Sequence, residues 1–255
     1  GTYLMQRLSK TLSMLAFAVV FMAGTAFAQD NEASIDQVSV EDADHDATVV
    51  QTGKSNDTQI EQVSVDPPLF GGHTALATQT GNRNKVRQTQ NGGSNNFAEA
   101  TQTGNDNFVR QEQGRNGNEA EVTQFGSRNR ALQFQDMKTS VDASNNDAVI
   151  IQDGDDNFAR QDQDLARNNA EIEQRGDNNR AEQSQNGVSS GTGHNQAVTF
   201  QHGFGHRAYT EQIGGVGFTD RPGNVGNITQ TGNDQVAHIS QNGPANTANI
   251  TQSNN

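Results

Sequence analysis

The chain has 255 residues and a formal net charge of −13, with only 31% hydrophobic residues, two Tyr, no Trp and no Cys. That composition excludes an ordinary apolar core, a disulfide framework, a thiolate metal site and a Cys nucleophile. It also speaks against nucleic acid as a partner, because phosphate contacts need a basic surface. Order in such a chain has to come from repetitive hydrogen bonding.

The first predicted element is a processing segment. Arg7 and Lys10 precede an apolar run from Leu12 to Met22, and small residues end in Ala26-Phe27-Ala28. These are the n-region, h-region and A-x-A site of a secretory signal peptide. Met5 is expected to be the true start and cleavage is expected after Ala28. Residues 1–28 are therefore read as an upstream extension plus signal peptide, and residues 29–255 as the secreted repeat domain. The apolar run is short for a membrane span, and no other segment approaches one.

Beyond residue 29 the sequence repeats, and a repeat of this kind decides the fold. Gln79, Gln90, Gln102, Gln113, Gln124 and Gln135 are spaced by 11, 12, 11, 11 and 11 residues. The series resumes at Gln152, Gln163, Gln174 and Gln185, then at Gln201, Gln212, Gln230, Gln241 and Gln252. Six residues before most of these lies an Asn: Asn84, Asn96, Asn107, Asn118, Asn129, Asn146, Asn157, Asn168 and Asn179, then Asn195, Asn224 and Asn246. Asn31 to Gln37, His45 to Gln51 and Asn56 to Gln62 fit the same template, for 18 arms in total.

Each arm alternates with period two. Asn118, Ala120, Val122 and Gln124 share one face while Glu119, Glu121 and Thr123 share the other, as in a strand with one buried face. Gly81, Gly104, Gly126, Gly154, Gly176, Gly203 and Gly232 each follow two residues after a Gln, where a tight turn calls for positive φ.

The arms come in two kinds. One carries Ala100, Val122, Ile150, Ile172, Thr199, Ile228 or Ile250 two residues before its last Gln. The other carries Gln88, Gln111, Gln133, Gln161 or Gln183 there, with Thr210 and Ile239 as departures. The expected fold is all-β: a β-solenoid of stacked strand-turn-strand rungs, 22 residues per rung from two 11-residue arms. Small Ala at the third position of both kinds lets the two sheets approach closely. The connectors 63–72, 136–145, 186–194 and 213–223 all follow the second kind of arm and should bulge from one corner.

Eight or nine rungs stacked at ~4.8 Å would give an amyloid-like cross-β rod of about 40 Å. Amide ladders of Asn and Gln would satisfy its interior polar groups. The first arm, Asn31–Gln37, and the last, Asn246–Gln252, match the template and have no atypical capping repeat. End-to-end growth into a homopolymer is the expectation, because unpaired strand edges template further pairing.

The string Asn-x-Ala-x-φ-x-Gln-x-Gly-x-x-Asn-x-Ala-x-x-x-Gln is clearest at Asn118–Gln135, Asn146–Gln163 and Asn168–Gln185. It resembles the curlin repeat of curli subunits, over nearly all of residues 31–252. The resemblance implies a bacterial extracellular functional amyloid of the biofilm matrix and cell-surface adhesion. It also implies a nucleator subunit and an outer-membrane secretion pore as partners. The familiar major subunit has fewer, more regular repeats that often open with Ser, so major against nucleator subunit stays open; the conforming last arm favours the major subunit.

Other constellations read as structural. Alternating carboxylates in Glu41-Asp42-Ala43-Asp44-His45-Asp46 lack the Gly and final Glu of a calcium loop, and His202 with His206 read as turn histidines. Lys85, Arg87, Arg110, Arg130, Arg160, Arg180 and Arg207 lie near Glu112, Asp162, Glu182 and Glu211, which makes a mixed-charge surface. The aspartates of Asp153-Gly154-Asp155-Asp156 are read as gatekeepers against early assembly. No cofactor, metal or catalytic site is expected, and the chain is not read as an enzyme. The rival reading is a non-polymerising solenoid adhesin or ice-binding protein. Its Thr file (Thr78, Thr101, Thr123, Thr229, Thr251) is interrupted by Ile151, Glu173 and Phe200.

Overall fold

A computed structural model describes residues 17–22, 30–39, 44–64, 71–136, 145–165, 167–187, 194–214, 223–243 and 245–254. The cleavage site after Ala28, the carboxylates Glu41 and Asp42, and the middle parts of the four long connectors lie outside these residues.

The 18 arms correspond one to one to strands β2 (Glu32–Val38) to β19 (Thr247–Ser253). Even-numbered strands β2 to β18 (Val236–Asn242) form one parallel nine-stranded sheet, here sheet B. Odd-numbered strands β3 (Asp46–Lys54) to β19 form sheet A, which gains a tenth strand from β1 (Phe17–Met22). The chain alternates between the two sheets, so each successive pair of strands adds one rung to a β-solenoid. No helix of the described residues is long and apolar enough to cross a membrane.

Register follows the template. Ala120 pairs with Ala148 and Gln124 with Gln152 in sheet A; Ala131 pairs with Ala159 and Gln135 with Gln163 in sheet B. A one-residue slip would turn every inward side chain outward, so the alternating pattern itself enforces this register. The inward columns of Ala, Val and Ile, including Val122, Ile150 and Ile172, meet between the sheets and are almost wholly buried.

The 22-residue rung is the shortest step rather than the uniform one. Steps along the Gln columns are 22 residues from Gln102 to Gln124, 28 from Gln124 to Gln152 and 29 from Gln201 to Gln230. The extra residues enter at the corner leading from sheet B back to sheet A, where β4 (Asp57–Val63), β10 (Arg130–Gln135), β14 (Arg180–Asn186) and β16 (Arg207–Ile213) end. A solenoid absorbs such insertions because the strands on either side keep their neighbours.

The segment read as the apolar core of a leader pairs in parallel with β3, Phe17 opposite Asp46 and Met22 opposite Gln51.

Candidate functional site

The repeated polar side chains form continuous hydrogen-bonded columns. In sheet A, Gln51 donates to Gln79 at 2.9 Å, Gln79 to Gln102 at 3.0 Å, and the chain of amides runs on through Gln124, Gln152, Gln174, Gln201 and Gln230 to Gln252. Sheet B carries the same column from Gln37 through Gln62, Gln90, Gln113, Gln135, Gln163, Gln185 and Gln212 to Gln241. Each amide has two N–H groups. At the interior rungs one donates along the stack and the other crosses to a carbonyl of the opposite sheet, as Gln113 does to Phe97 O at 2.8 Å and Gln135 to Glu119 O at 2.8 Å. A buried amide with both donors placed avoids the cost of an unpaired polar group, and aligned amides polarise one another.

A third, shorter column runs from Gln88 through Gln111, Gln133 and Gln161 to Gln183. It begins below Ile60 and ends at Thr199 Oγ1 across the sheets, so it is closed within the molecule. Its first acceptor, Gln88 Oε1, is buried and unpaired.

Asn columns hold the two corners. Asn84 Oδ1 accepts the backbone N–H of Asn107 at 3.1 Å, and its side-chain N–H donates to Gly104 O at 2.8 Å. Asn107, Asn129, Asn157 and Asn179 continue this column. Asn96, Asn118, Asn146 and Asn168 form the column at the other corner.

The glycines complete the first corner. Gly81, Gly104, Gly126, Gly154, Gly176, Gly203 and Gly232 all have φ between 100° and 133°. A Cβ built on Gly126 would lie 2.1 Å from Gly154 O, and the other corner glycines meet equally close atoms of the following rung. Glycine is required here by both conformation and contact.

Three histidines stand in the Asn columns; the place of His45 was given by the repeat, those of His73 and His206 were not. His45 Nδ1 accepts the N–H of His73 at 3.0 Å, and His73 Nδ1 accepts that of Asn96 at 3.3 Å. The two rings stack at 5.0 Å with 12° between their planes. In the other column His206 takes the place of Asn, accepting the N–H of Gln235 at 3.3 Å. An imidazole nitrogen replaces the amide oxygen as acceptor only while it is unprotonated. Burial, together with the His45 charge, holds His73 down to about 4, and burial also lowers His45. The signal was the six-residue spacing of His73 from Gln79 and of His206 from Gln212. His206 is therefore a buried ladder residue rather than a turn histidine, and His45 is buried at the head of its arm, as the repeat places it. Among the described residues no group of three His, Cys, Asp or Glu is placed to hold a metal ion.

The outer face of sheet B carries paired charges. Arg160 meets Asp162 at 2.7 Å, Arg180 donates to Glu182 at 2.7 Å, and Arg110 pairs with Glu112. Phenylalanines interleave with the arginines across rungs: Arg130 stacks over Phe108 and Phe158, and Phe134 lies between Arg110 and Arg160. Of the turn aspartates, Asp155 accepts the N–H of Ser127 at 2.8 Å and Asp156 pairs with Arg128 at 2.7 Å. Both therefore contribute to the corner as well as to its charge.

The end strands differ from the rest. The inward residues of β2 and β19 are only half-buried, whereas the same positions of the strands between are buried. Among the described residues, no strand pairs with the outer edges of β2, β18 or β19. Comparison with models of protein families and with curated proteins gave no match.

Proposed function

We propose that the chain is a structural subunit of an extracellular, curli-type amyloid fibre, which grows by stacking copies end to end and serves matrix formation and surface adhesion. One observation carries this reading. The two ends of the repeat stack, with β1 set aside, are complementary continuations of each other: β18 and β19 at one end, β2 and β3 at the other, carry inward Ala, an aliphatic residue and Gln in the same order. Stacking one face on the other would continue both sheets and both Gln columns without changing register. It would also bury Ala33, Ile35, Ala248 and Ile250, which are half-covered in the single chain. Exposed edges of this kind promote further pairing unless charge or a cap blocks them.

The likeness of the arms to the curlin repeat extends the reading to its partners: a nucleator subunit that seeds growth and an outer-membrane pore for export. The test is time-resolved amyloid-dye binding on purified residues 29–255 with electron microscopy of the product. Dye-positive fibres that seed fresh monomer are expected. A chain that stays monomeric at high concentration for days contradicts the reading.

A further inference from the structure

The Gln column of sheet A has a direction. Every Nε2 donates toward the C-terminal end of the solenoid, and every Oε1 accepts from the N-terminal side. Gln51 heads the column. It is fully buried, and its Oε1 has no hydrogen-bond partner. The strand on that side is β1, whose Met22 lies opposite Gln51.

At the other end of the column is Gln252 of β19, which pairs with Gln230 while Thr247 pairs with Val225. The same register carried across to a second copy sets Thr247 against Asp46 and Gln252 against Gln51. Those are the positions that Phe17 and Met22 hold in the single chain. Gln252 would bring the amide N–H that Gln51 Oε1 lacks.

Resting on the fibre reading above, we propose that Phe17–Met22 is a plug: it occupies the edge of β3 that β19 of a second copy would take. A chain that retains it is a terminator of growth at one end rather than a unit of growth at both. Its β18 and β19 edges remain open, so it adds once to the β2/β3 face of a fibre. It then presents β1 where an open β3 edge should be. At the opposite end of the fibre it cannot add, because its own β3 edge is already paired. Removal of the segment converts terminator into subunit, which couples assembly to processing.

Two-colour microscopy of seeded growth tests this. Fibres of residues 29–255 are extended with fluorescent 29–255, with and without a sub-stoichiometric amount of the 1–255 chain. The expected result is loss of growth at one end only. A 1–255 chain with Val19→Pro and Val20→Pro together should restore growth at that end. Successive N–H groups of a strand point to opposite sides, so one of the two prolines removes a donor facing β3. Growth of both ends at the undisturbed rate in the presence of 1–255 would overturn the plug. So would arrest by the double-proline chain equal to that by its parent. Failure of 29–255 to grow on its own would instead overturn the fibre reading on which the plug rests.

Discussion

Interior and terminal rungs are written in the same template and differ only in what covers them. Ile150, between β9 (Glu119–Ser127) and β13 (Asn169–Arg175), is 0% exposed, while Ile250 at the same position of β19 is only partly buried. Gln124 both gives and takes a bond along its column; Gln252 only takes one and donates instead to Val236 O. Burial in a solenoid is thus supplied by the neighbouring rung and not by the residue. A terminal rung that keeps the interior template keeps an unmet demand for another rung.

The comparison is broken most severely at the corners. Gly126→Ala puts a Cβ 2.1 Å from a backbone oxygen at φ +100°, so rung spacing or turn must distort, at a cost of roughly 3 kcal/mol or more. Gly243→Ala at the C-terminal corner meets nothing within 4 Å and should cost only about 1 kcal/mol of backbone strain. Denaturant unfolding of the two variants measures the contrast.

In the core, Ile150→Ala should destabilise by about 3–4 kcal/mol, and Ile250→Ala by less than half of that in the single chain. In fibres the two should converge, because stacking would bury Ile250. Fibre dissociation by denaturant tests this convergence.

The histidine rungs respond to acid. His73 has an ordinary value of 6.5 and is held at about 4 in the folded chain by burial and by His45. The unfolded chain therefore takes up its proton first as the pH falls. The stabilisation from the neutral ring is complete above about 6.5 and is lost progressively down to about 4, amounting to roughly 3 kcal/mol. Asp44 and the Val38 carbonyl oppose the shift at His45, and the Val63 carbonyl opposes it at His73. His73→Asn should flatten the pH profile of stability in this window, since Asn accepts the same N–H at any pH.

The smallest effect is expected on the exposed corner. Arg128→Ala removes a bidentate pair with Asp156, whose side chains are 55% and 38% exposed, and should leave the denaturant midpoint nearly unchanged, because solvent screens the pair.

Much of this was legible in the sequence. Alternation within arms such as Asn118–Gln124 defined strands and their buried face, and the 11-residue spacing placed Gln on Gln and Asn on Asn. The connectors after Gln62, Gln135, Gln185 and Gln212 revealed which corner tolerates insertion. Other features were hidden because they depend on register rather than on composition. His73 and His206 replace Asn through a ring nitrogen, which no residue-class pattern records. Phe134 stands next to Arg110 and Arg160 only because parallel pairing brings three strands into line. The corner glycines read as turn formers, but their contact with the following rung's carbonyl became visible only with that rung in place.

The most direct measurement is a high-resolution electron-microscopy structure of fibres grown from residues 29–255. The expected result is an unbroken two-sheet stack with nine rungs per subunit, β19 of one copy on β3 of the next, and Gln252 donating to Gln51. Fibres in which subunits join through their lateral faces, or through a refolded arrangement without these columns, would contradict it.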